Sequence, residues 1–327
     1  MAKYKAAELG REDLSLWDDL VDRSPHGRLF HHSWWLEATG RPHTVLGVFT
    51  EKDHLTGGIP LVAARRWGLK LLRNPSLTPY LGPVFEVRPE QADHKLLTHV
   101  REAAETLAAG IAHYDSFAAR VGPAGPDLQG FLWAGFRAEL QYTFVFPPGL
   151  GDDELTGRMH PAHRRELRKA ERRNVTTAAS DDLDTFLILN RRTFTRQGLE
   201  PSYDEPLVRS LWDTARNGNA ASLFLARNAG GLATDGALCF HDKRSSYLVL
   251  AGGDPDHRGA GGGNLALLAA IRSAMKAGRG FDFEGSAIRG VEFHYRRWGA
   301  RPTPVFVLRR ERTWKARLAR YLQSFRA

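Results

Sequence analysis

The stretch 252–264, which reads GGDPDHRGAGGGN, has the residue types that point most directly to chemistry. It follows the apolar segment 247–251, which predicts a strand, and it precedes apolar residues at helical spacing. Glycines let a backbone come close to an anion, and the free N–H groups at a helix N-terminus attract negative charge. The pattern therefore predicts a site for a phosphate or a similar anion, whereas a flexible glycine-rich turn is the alternative. The residues expected to form this site are Arg258, Gly259, Gly261, Gly262, Gly263 and Asn264.

Two carboxylates in the last quarter of the chain are candidates for acid–base chemistry. Asp282 and Glu284 alternate with Phe281 and Phe283. In a single strand this alternation would place both carboxylates on one face and both aromatic rings on the other. A carboxylate beside the predicted anion site could take a proton from an amine or hold an ammonium group. The alternative is a structural salt bridge with a nearby arginine.

Basic residues are concentrated in two stretches. The chain has 46 Lys and Arg against 37 Asp and Glu, and a net charge of +9 attracts polyanions such as nucleic acid. The segment 164–173 predicts a helix that presents cations to phosphates, and a solvated helix with local ion pairs is the alternative. The cations concerned are Arg164, Arg165, Arg168 and Arg172. The tail 308–327 predicts a basic amphipathic helix that docks on the protein, with an anionic membrane or RNA as alternative partners.

The order of elements repeats, which predicts two domains of similar fold. Each half has several strands, then a helix, then another strand. These elements are expected at 45–49, 58–63, 94–108 and 111–118 in the first half, and at 222–226, 236–241, 246–251, 264–277 and 280–283 in the second. A Pro/Gly cluster at 147–153 suggests the boundary, so we predict domains at 1–150 and 151–327. The expected class is α/β, with mixed sheets flanked by helices.

The same segments resemble known acyltransferases. The pattern R-x-x-G-x-G at 258–263 is similar to the acyl-CoA pyrophosphate loop of the GNAT superfamily. The stretches RRELRKAERRNV at 164–175 and FDFEGSAIRGVEFHYRRWGA at 281–300 resemble the Fem-like aminoacyltransferases. That resemblance implies two tandem GNAT-like (acyl-CoA N-acyltransferase) domains around a cleft. Residues 1–150 would be the acceptor side, without a phosphate loop, and residues 151–327 the donor side with the basic C-terminal helix.

The resemblance also implies an activity. Fem-like enzymes transfer an amino acid from aminoacyl-tRNA to an amine, so we expect aminoacyl-tRNA as the co-substrate, no tightly bound cofactor, and a small-molecule or peptidic amine as the acceptor. Arg296 or Arg297 would neutralise charge near the reacting carbonyl, beside Tyr295, and Trp34 and Tyr80 would border the acceptor cleft. Acetyl- or acyl-CoA as the donor is the first alternative, because the glycine loop is more intact than Fem-like enzymes require. A non-catalytic GNAT fold that binds nucleic acid or a membrane is the second.

Other features limit the class of protein. No apolar run reaches the about 18 residues of a membrane-spanning helix, and the charged N-terminus does not fit a secretory signal. Cys239 is the single cysteine, so neither an intramolecular disulfide nor a thiolate zinc cluster is expected. We therefore expect a cytoplasmic enzyme without a metal. The sequence departs from the best-known Fem-like enzymes in having no long helical insertion for tRNA contact.

Overall fold

A computed structural model describes residues 3–88, 90, 92–196, 198–201, 203–285 and 289–324 of the protein. The chain divides into two compact units. Unit 1 comprises Met1–Gln141 and Pro304–Ala327, and unit 2 comprises Tyr142–Thr303. Each unit contains a β-sheet with helices packed on it, so the predicted α/β class with mixed sheets is confirmed. Within the described ranges, no helix combines the length and the apolar character needed to cross a bilayer.

The secondary structure alternates between strands and helices along the chain. The strands are β1 (Tyr4–Glu8), β2 (His43–Thr50), β3 (Leu55–Arg66), β4 (Leu69–Arg73), β5 (Val84–Phe85), β6 (Ser116–Val121), β7 (Arg137–Phe146), β8 (Thr176–Ser180), β9 (Ala221–Arg227), β10 (Ala233–His241), β11 (Ser245–Gly253), β12 (Gly280–Asp282) and β13 (Arg301–Glu311). The helices are α1 (Leu14–Arg23), α2 (Ser33–Ala38), α3 (Asp93–Gly110), α4 (Gln129–Trp133), α5 (Asp152–Arg158), α6 (Pro161–Arg172), α7 (Leu183–Arg196), α8 (Glu205–Asn217), α9 (Gly262–Lys276), α10 (Arg289–Arg296) and α11 (Trp314–Ser324).

Unit 1 is built on a sheet of order β1-β2-β3-β4-β6-β13, with β5 paired to β3. Only the pair of β4 and β6 is parallel among these strands, since the other described pairs run antiparallel. Side chains of β2 alternate between two cores, as expected for a strand that is covered on both faces. Leu46 and Val48 join the core under α3, whereas Val45 joins the core under α1 with Trp17. Unit 1 therefore has helices on both faces of its sheet.

Unit 2 is built on a sheet of order β7-β12-β11-β10-β9-β8. The strands β11 and β12 are its parallel pair, and their register covers only Ser245–Tyr247 against Gly280–Asp282. Beyond this register β11 continues alone on that side as far as Gly253. This end of β11 leads directly into the glycine-rich stretch, so the sheet fixes where that loop begins.

The helix α9 follows the glycine-rich stretch and is anchored by an apolar stripe. Its buried side chains include Ala266, Leu267, Leu268, Ala270, Ile271 and Ala274. Full burial of each Leu or Ile contributes about 1.5–3 kcal/mol, so this stripe holds α9 on β9 and β10. The predicted succession of strand, glycine loop and helix is confirmed by β11 and α9. The strand predicted at 111–118 begins only at Ser116, because the preceding residues form a turn after α3.

Candidate functional site

The glycine loop between β11 and α9 has a backbone that requires glycine at two positions. Gly259 and Gly261 have φ angles of +80° and +90°, which are left-handed values that other residues adopt at a cost. Gly261 also lies against another helix. A Cβ placed on it would be 2.4 Å from the backbone oxygen of Glu166 and 2.9 Å from the Cβ of Ala170, both on α6. The loop and α6 are therefore in direct contact, and a side chain at 261 would separate them.

Three segments of unit 2 meet at a buried histidine of α6. The Nε2 of His163 lies 3.1 Å from the backbone oxygen of His294 on α10, and its Nδ1 lies 3.3 Å from the Nδ2 of Asn264 on α9. The ring of His163 also packs on Trp298, with 5.1 Å between centroids. The stretches that carry the resemblance, at 164–175, 258–264 and 281–300, are thus brought together in space. This convergence could not be read from their separation along the chain.

A pocket of about 300 Å³ opens at this junction. All six residues predicted for the anion site line it, which are Arg258, Gly259, Gly261, Gly262, Gly263 and Asn264. Further lining residues come from other elements of unit 2, namely Glu166, Thr193, Arg196, Asp235, Asp254, His257 and His294. The structure therefore places the predicted anion-binding residues around one cavity, although their role as a phosphate site stays a prediction.

The first turn of α9 presents free hydrogen-bond donors to this pocket. The backbone amides of Gly262, Gly263 and Asn264 donate no hydrogen bond to another described residue. They lie at the positive end of a helix of 15 residues, where negative charge is stabilised. The Nζ of Lys169 lies 3.6 Å from the position that a Cβ on Gly259 would take, which adds a cation beside the loop. This end of the pocket can hold an anion or a developing negative charge.

Asp235 of β10 places a carboxylate at the same turn. A Cβ on Gly262 would be 2.3 Å from the Asp235 Oδ2, and one on Gly263 would be 3.1 Å from its Oδ1. Burial and, to a smaller extent, the nearby Asp254 carboxylate raise the pKa of Asp235 to about 6, against the opposing effects of Thr234 and His257. A carboxylate with a pKa close to neutral can exchange protons under physiological conditions. Asp235 is therefore the best-placed base in the pocket.

Asp254 contributes to the pocket in a different way. Its Oδ2 accepts a hydrogen bond from the Nη1 of Arg192 at 2.6 Å and lies 3.3 Å from the Nδ1 of His257. Its Oδ1 accepts from the backbone N–H of Asp256 at 3.1 Å, which begins the short 3-10 turn Pro255–His257. Burial opposes its ionisation, but these hydrogen bonds and Arg192 lower the pKa of Asp254 below its ordinary value. Asp254 is thus a fixed charge that shapes the loop.

His294 supplies a neutral imidazole to the pocket wall. Burial, together with the neighbouring His163 and Arg297, lowers its pKa to about 4. Its Nε2 lies 3.5 Å from the Nε1 of Trp298, a long contact in which the indole is the donor. His294 is therefore uncharged at neutral pH and can take part in hydrogen bonds, but not as a cation.

The predicted pair of carboxylates on β12 is not formed as expected. β12 ends at Asp282, and Glu284 lies beyond it with a left-handed φ of +60°. The Oδ1 of Asp282 accepts hydrogen bonds from the Thr143 hydroxyl at 2.5 Å and from the Glu284 backbone N–H at 2.8 Å. This second bond turns the chain out of the strand, so the expectation that both carboxylates share a strand face is wrong. Neither carboxylate lines the pocket, and their catalytic role stays a prediction.

The other residues expected near the reacting carbonyl lie on or just after α10. The Tyr295 ring packs on Phe283, with 5.0 Å between centroids, and burial together with the Glu284 carboxylate raises the pKa of its hydroxyl. Tyr295 thus stays protonated and can donate a hydrogen bond. Arg296 is exposed, and its Nε lies 3.3 Å from the Glu292 Oε1. Arg297 stacks on Phe293, with its guanidinium carbon 3.9 Å from the ring centroid.

The predicted phosphate-binding helix is α6, which begins at Pro161 with His160 as its N-cap. Its buried side is formed by His163 and Ala170. Arg164 donates to the backbone oxygens of residues 156 and 157, both at 3.3 Å, and is thus occupied within unit 2. Three further cations are exposed, form no ion pair in the described part of the chain, and share the opposite side of the helix; these are Arg165, Arg168 and Arg172. We call them the α6 stripe.

The two aromatic residues proposed for the acceptor side lie in unit 1. Trp34 is half-buried and its ring packs on Trp35, with 5.8 Å between centroids. Tyr80 is fully buried, under the guanidinium of Arg120 at 5.1 Å. The expectation that Tyr80 borders a cleft is therefore wrong, because its side chain belongs to the core. The role of Trp34 stays a prediction.

Comparison with known proteins agrees with this architecture. Residues 158–297 match the family described as "Acetyltransferase (GNAT) domain". The crystal structure of FemX is 16% identical over 92% of this chain and 96% of its own, with a TM-score of 0.68. The chain has a FemX-like fold. L-PGS from Bacillus licheniformis is 10% identical over 94% of this chain and 93% of its own, with a TM-score of 0.55.

A third similar structure supports the duplication. A tandem GNAT protein from the clavulanic acid biosynthesis pathway is 11% identical over 94% of this chain and 97% of its own, with a TM-score of 0.50. The predicted tandem GNAT-like fold is thus confirmed. No curated protein sequence matches the chain. At these identities the similarity establishes the fold, and the chemistry has to be argued from the pocket.

Sequence reasoning missed the acid of the pocket. Asp235 lies in the strand sequence ATDGALCFH, where it is the single acidic residue in an otherwise apolar stretch. A charged side chain inside a strand of this kind is a signal for a functional or paired position. The sequence shows this isolated acid but not which residues it faces, because that depends on the register that sets Asp235 opposite Gly253 on β11.

Proposed function

We propose that the protein transfers an aminoacyl group from aminoacyl-tRNA to the amine of a small-molecule or peptidic acceptor. The observation that carries this proposal is the contact between α6 and the glycine loop at Gly261. This contact places α6 beside the pocket, where its Lys169 reaches Gly259, and the α6 stripe lies on the outer side of the same helix, facing away from the loop. A long polyanion can lie along α6 while its end enters the pocket. An acyl-CoA carries too few phosphates to need the whole stripe.

The pocket suits amide formation from an ester. The acceptor amine attacks the ester carbonyl carbon, the new C–N bond forms, and the C–O bond to the terminal ribose breaks. The nitrogen loses a proton to the Asp235 carboxylate, which then gives that proton to the departing ribose oxygen and is ionised again. The free amides of Gly262, Gly263 and Asn264 lie where negative charge on the carbonyl oxygen can be stabilised. Because Asp235 becomes neutral as it takes the proton, it does not oppose that charge.

The surrounding cations have separate roles in this proposal. Arg258 and Lys169, beside Gly259, hold the phosphates nearest to the ester, and the α6 stripe holds those farther away. Tyr295 and Arg296 or Arg297 remain proposed groups for orienting the substrates from the side of α10. In the same proposal the donor side lies within residues 151–303 and the acceptor side within residues 1–150, because residues 304–327 belong to unit 1.

Transfer from acetyl- or acyl-CoA is the second candidate. It is favoured by the three free amides in the first turn of α9 and by the match of 158–297 to a domain described as an acetyltransferase. In that case the diphosphate would occupy the position that the first proposal assigns to the terminal phosphates of the RNA. The Asp235 carboxylate beside Gly262 opposes a phosphate at this turn with either donor, so it does not separate the two candidates.

A transfer assay with two labelled donors separates the candidates. The protein is incubated with an extract of small amines and peptides, and either a labelled aminoacyl-tRNA pool or labelled acetyl-CoA is added. We expect label in new amide products from the tRNA pool alone, with the yield strongly reduced in Asp235→Asn. The control is Asp256→Asn, because Asp256 is exposed and lies outside the pocket lining. Label transferred only from acetyl-CoA, or from neither donor, would overturn the proposal.

A further inference from the structure

The C-terminal helix α11 has an exposed apolar stripe. Its large apolar residues are 47–69% exposed, and they are Trp314, Leu318, Tyr321 and Leu322. At about 100° per residue these positions cover an arc of roughly 100°. Exposed single apolar residues are common, but four on one face of a short helix form a contiguous patch of the kind that marks an interaction site.

The opposite face of α11 is the one that docks on unit 1. Ala316 is 3% exposed, and Arg320 pairs with Glu139 and with Glu311, whose Oε1 lies 3.3 Å from the Arg320 Nη1. The helix thus docks on the protein as predicted, but it does so through its polar face. Three linked charges and a small side chain hold the helix in place, which leaves the apolar stripe directed away from the sheet.

A further exposed aromatic residue projects from the same end of the unit 1 sheet. Trp67 lies in the turn between β3 and β4, is 63% exposed, and has the Arg66 guanidinium 4.3 Å from its ring centroid. The strands β4 and β13 pair with opposite sides of β6, and Ser116 is the register partner of both Leu71 and Glu311. The turn before β4 and the chain after β13 therefore leave the sheet at one end.

Hydrogen bonds around Asp115 fix this arrangement. Its Oδ2 accepts from the Lys70 backbone N–H at 2.9 Å, and its Oδ1 accepts from the Arg312 Nη2 at 2.9 Å. The β3–β4 turn and the start of α11 are thus tied to the same loop. We call this end of unit 1, formed by residues 65–70 and 312–322, the aromatic–basic end.

The aromatic–basic end is strongly positive. Its exposed cations without an ion pair among the described residues are Arg65, Arg66, Lys70, Lys315 and Arg317. Lys315 and Arg317 flank the apolar stripe of α11 on its two sides. Tryptophan and basic side chains beside an apolar stripe are the combination found where proteins rest on lipid headgroups.

We propose that the aromatic–basic end docks unit 1 on an anionic lipid bilayer. The apolar stripe distinguishes this partner from RNA, whose phosphates would need the cations but not four large apolar side chains. The charge distinguishes it from a second copy of the chain, because two such ends would repel each other. Trp67 and the stripe enter the interface, while the cations contact acidic headgroups. The inference does not depend on the proposed transfer reaction.

Sedimentation with lipid vesicles tests the proposal. The protein is mixed with vesicles of equal parts phosphatidylglycerol and phosphatidylcholine, or of phosphatidylcholine alone. We expect binding to the acidic vesicles that weakens with salt, and a blue shift of tryptophan fluorescence on binding. The variant Lys70→Glu/Lys315→Glu should lose tenfold or more of its partition coefficient, because each cation near an acidic surface contributes about fivefold.

Apolar variants and a matched control complete the test. Trp314→Ser/Leu318→Gln should lose vesicle binding and the fluorescence shift, whereas Trp133→Ser, which removes a Trp 61% exposed at α4, should retain both. Thermal unfolding and transfer to a soluble acceptor should be unchanged in all three. The proposal is overturned if the vesicles do not bind the protein, if both lipid compositions bind equally, or if these variants instead abolish tRNA binding or dissociate a dimer.

Discussion

The carboxylate of Asp235 lies against Gly262 so closely that a Cβ on residue 262 would be 2.3 Å from the Asp235 Oδ2. This relationship joins an acid from β10 to the first turn of α9, where three backbone amides have no acceptor among the described residues. Burial at this position also raises the pKa of Asp235 to about 6. A proton acceptor and a set of fixed donors thus share one pocket, which is the arrangement that acyl transfer to an amine requires.

Gly262→Ala should damage this pocket. The added methyl group would overlap the Asp235 carboxylate, so that the carboxylate or the helix must move. We expect the free energy of unfolding to fall by about 1–3 kcal/mol and transfer to be lost, since the amides and the acid no longer face one substrate. Urea unfolding and the transfer assay measure the two effects.

The cause of that damage can be isolated with two further variants. In Asp235→Ala/Gly262→Ala the overlapping oxygen is gone, so most of the stability should return while transfer stays low. Gly157→Ala is the control, because nothing lies within 4 Å of a Cβ on that helical glycine. If the double variant lost as much stability as Gly262→Ala, the loss would not come from overlap between the methyl group and the Asp235 carboxylate.

The rate of transfer should depend on pH through Asp235. If its carboxylate takes the proton of the amine, the single-turnover rate rises about tenfold per pH unit below its pKa of about 6 and levels off above it. Asp235→Asn should lower the plateau by roughly 10²–10⁴ and remove this limb of the profile. The test is the single-turnover rate measured as a function of pH with saturating donor. If the rise below pH 6 were unchanged in Asp235→Asn, another group would be responsible for it.

The same substitution should stabilise the protein at neutral pH. The pKa of Asp235 is about 6 in the folded state, above its ordinary value of 3.8, so the folded state holds the proton more tightly. Stability supplied by this group is complete below pH 3.8 and is lost as the pH rises to 6. Asp235→Asn avoids that loss and should gain about 1–3 kcal/mol of stability relative to wild type above pH 6. Urea unfolding at a series of pH values gives the difference.

The α6 stripe should account for much of the salt dependence of tRNA binding. Replacing Arg165, Arg168 and Arg172 by Ala removes up to three phosphate contacts, so the slope of log K against log salt should become shallower by about 2–3. Binding of CoA should change little, because these side chains do not line the pocket. Filter binding at several salt concentrations measures both.

The control for the stripe uses cations of α8 in the same unit. Arg209→Ala/Arg216→Ala removes positive charge that is already paired with Asp184 and Asp181. This variant should keep the wild-type salt slope. A slope that falls equally in both variants would mean that net charge, rather than the position of the stripe, governs tRNA binding.

The glycine loop could be predicted from the sequence because its parts are contiguous. The residues from Arg258 to Asn264 follow one another in the chain, and their neighbours show the periodicities of a strand and a helix. Asp235 could not be placed in the same way. It reaches the loop through the antiparallel register that pairs it with Gly253, and a register is fixed by the packing of the whole sheet.

Two other features could not be derived from a local pattern, because tertiary contacts decide them. The alternation around Asp282 predicted a strand through Glu284, but the Asp282 carboxylate accepts the Glu284 amide and ends the strand. The sequence predicted that α11 docks on the protein, and it does, but Arg320 pairs with Glu139 and Glu311 on the sheet, which leaves the apolar face outward. In both cases the deciding partner is a polar group whose position depends on the fold.

Hydrogen–deuterium exchange shows whether a bound aminoacyl donor contacts the backbone amides of the glycine loop. The protein is labelled alone, with an RNA minihelix that carries an amide-linked amino acid at its 3′ end, with the uncharged minihelix, and with CoA. The account predicts slower exchange in the peptide covering 253–268 with the aminoacylated minihelix, more than with either other ligand. The proposed donor would be contradicted if CoA alone slowed exchange in this peptide. It would also be contradicted if the aminoacylated minihelix bound without slowing exchange there.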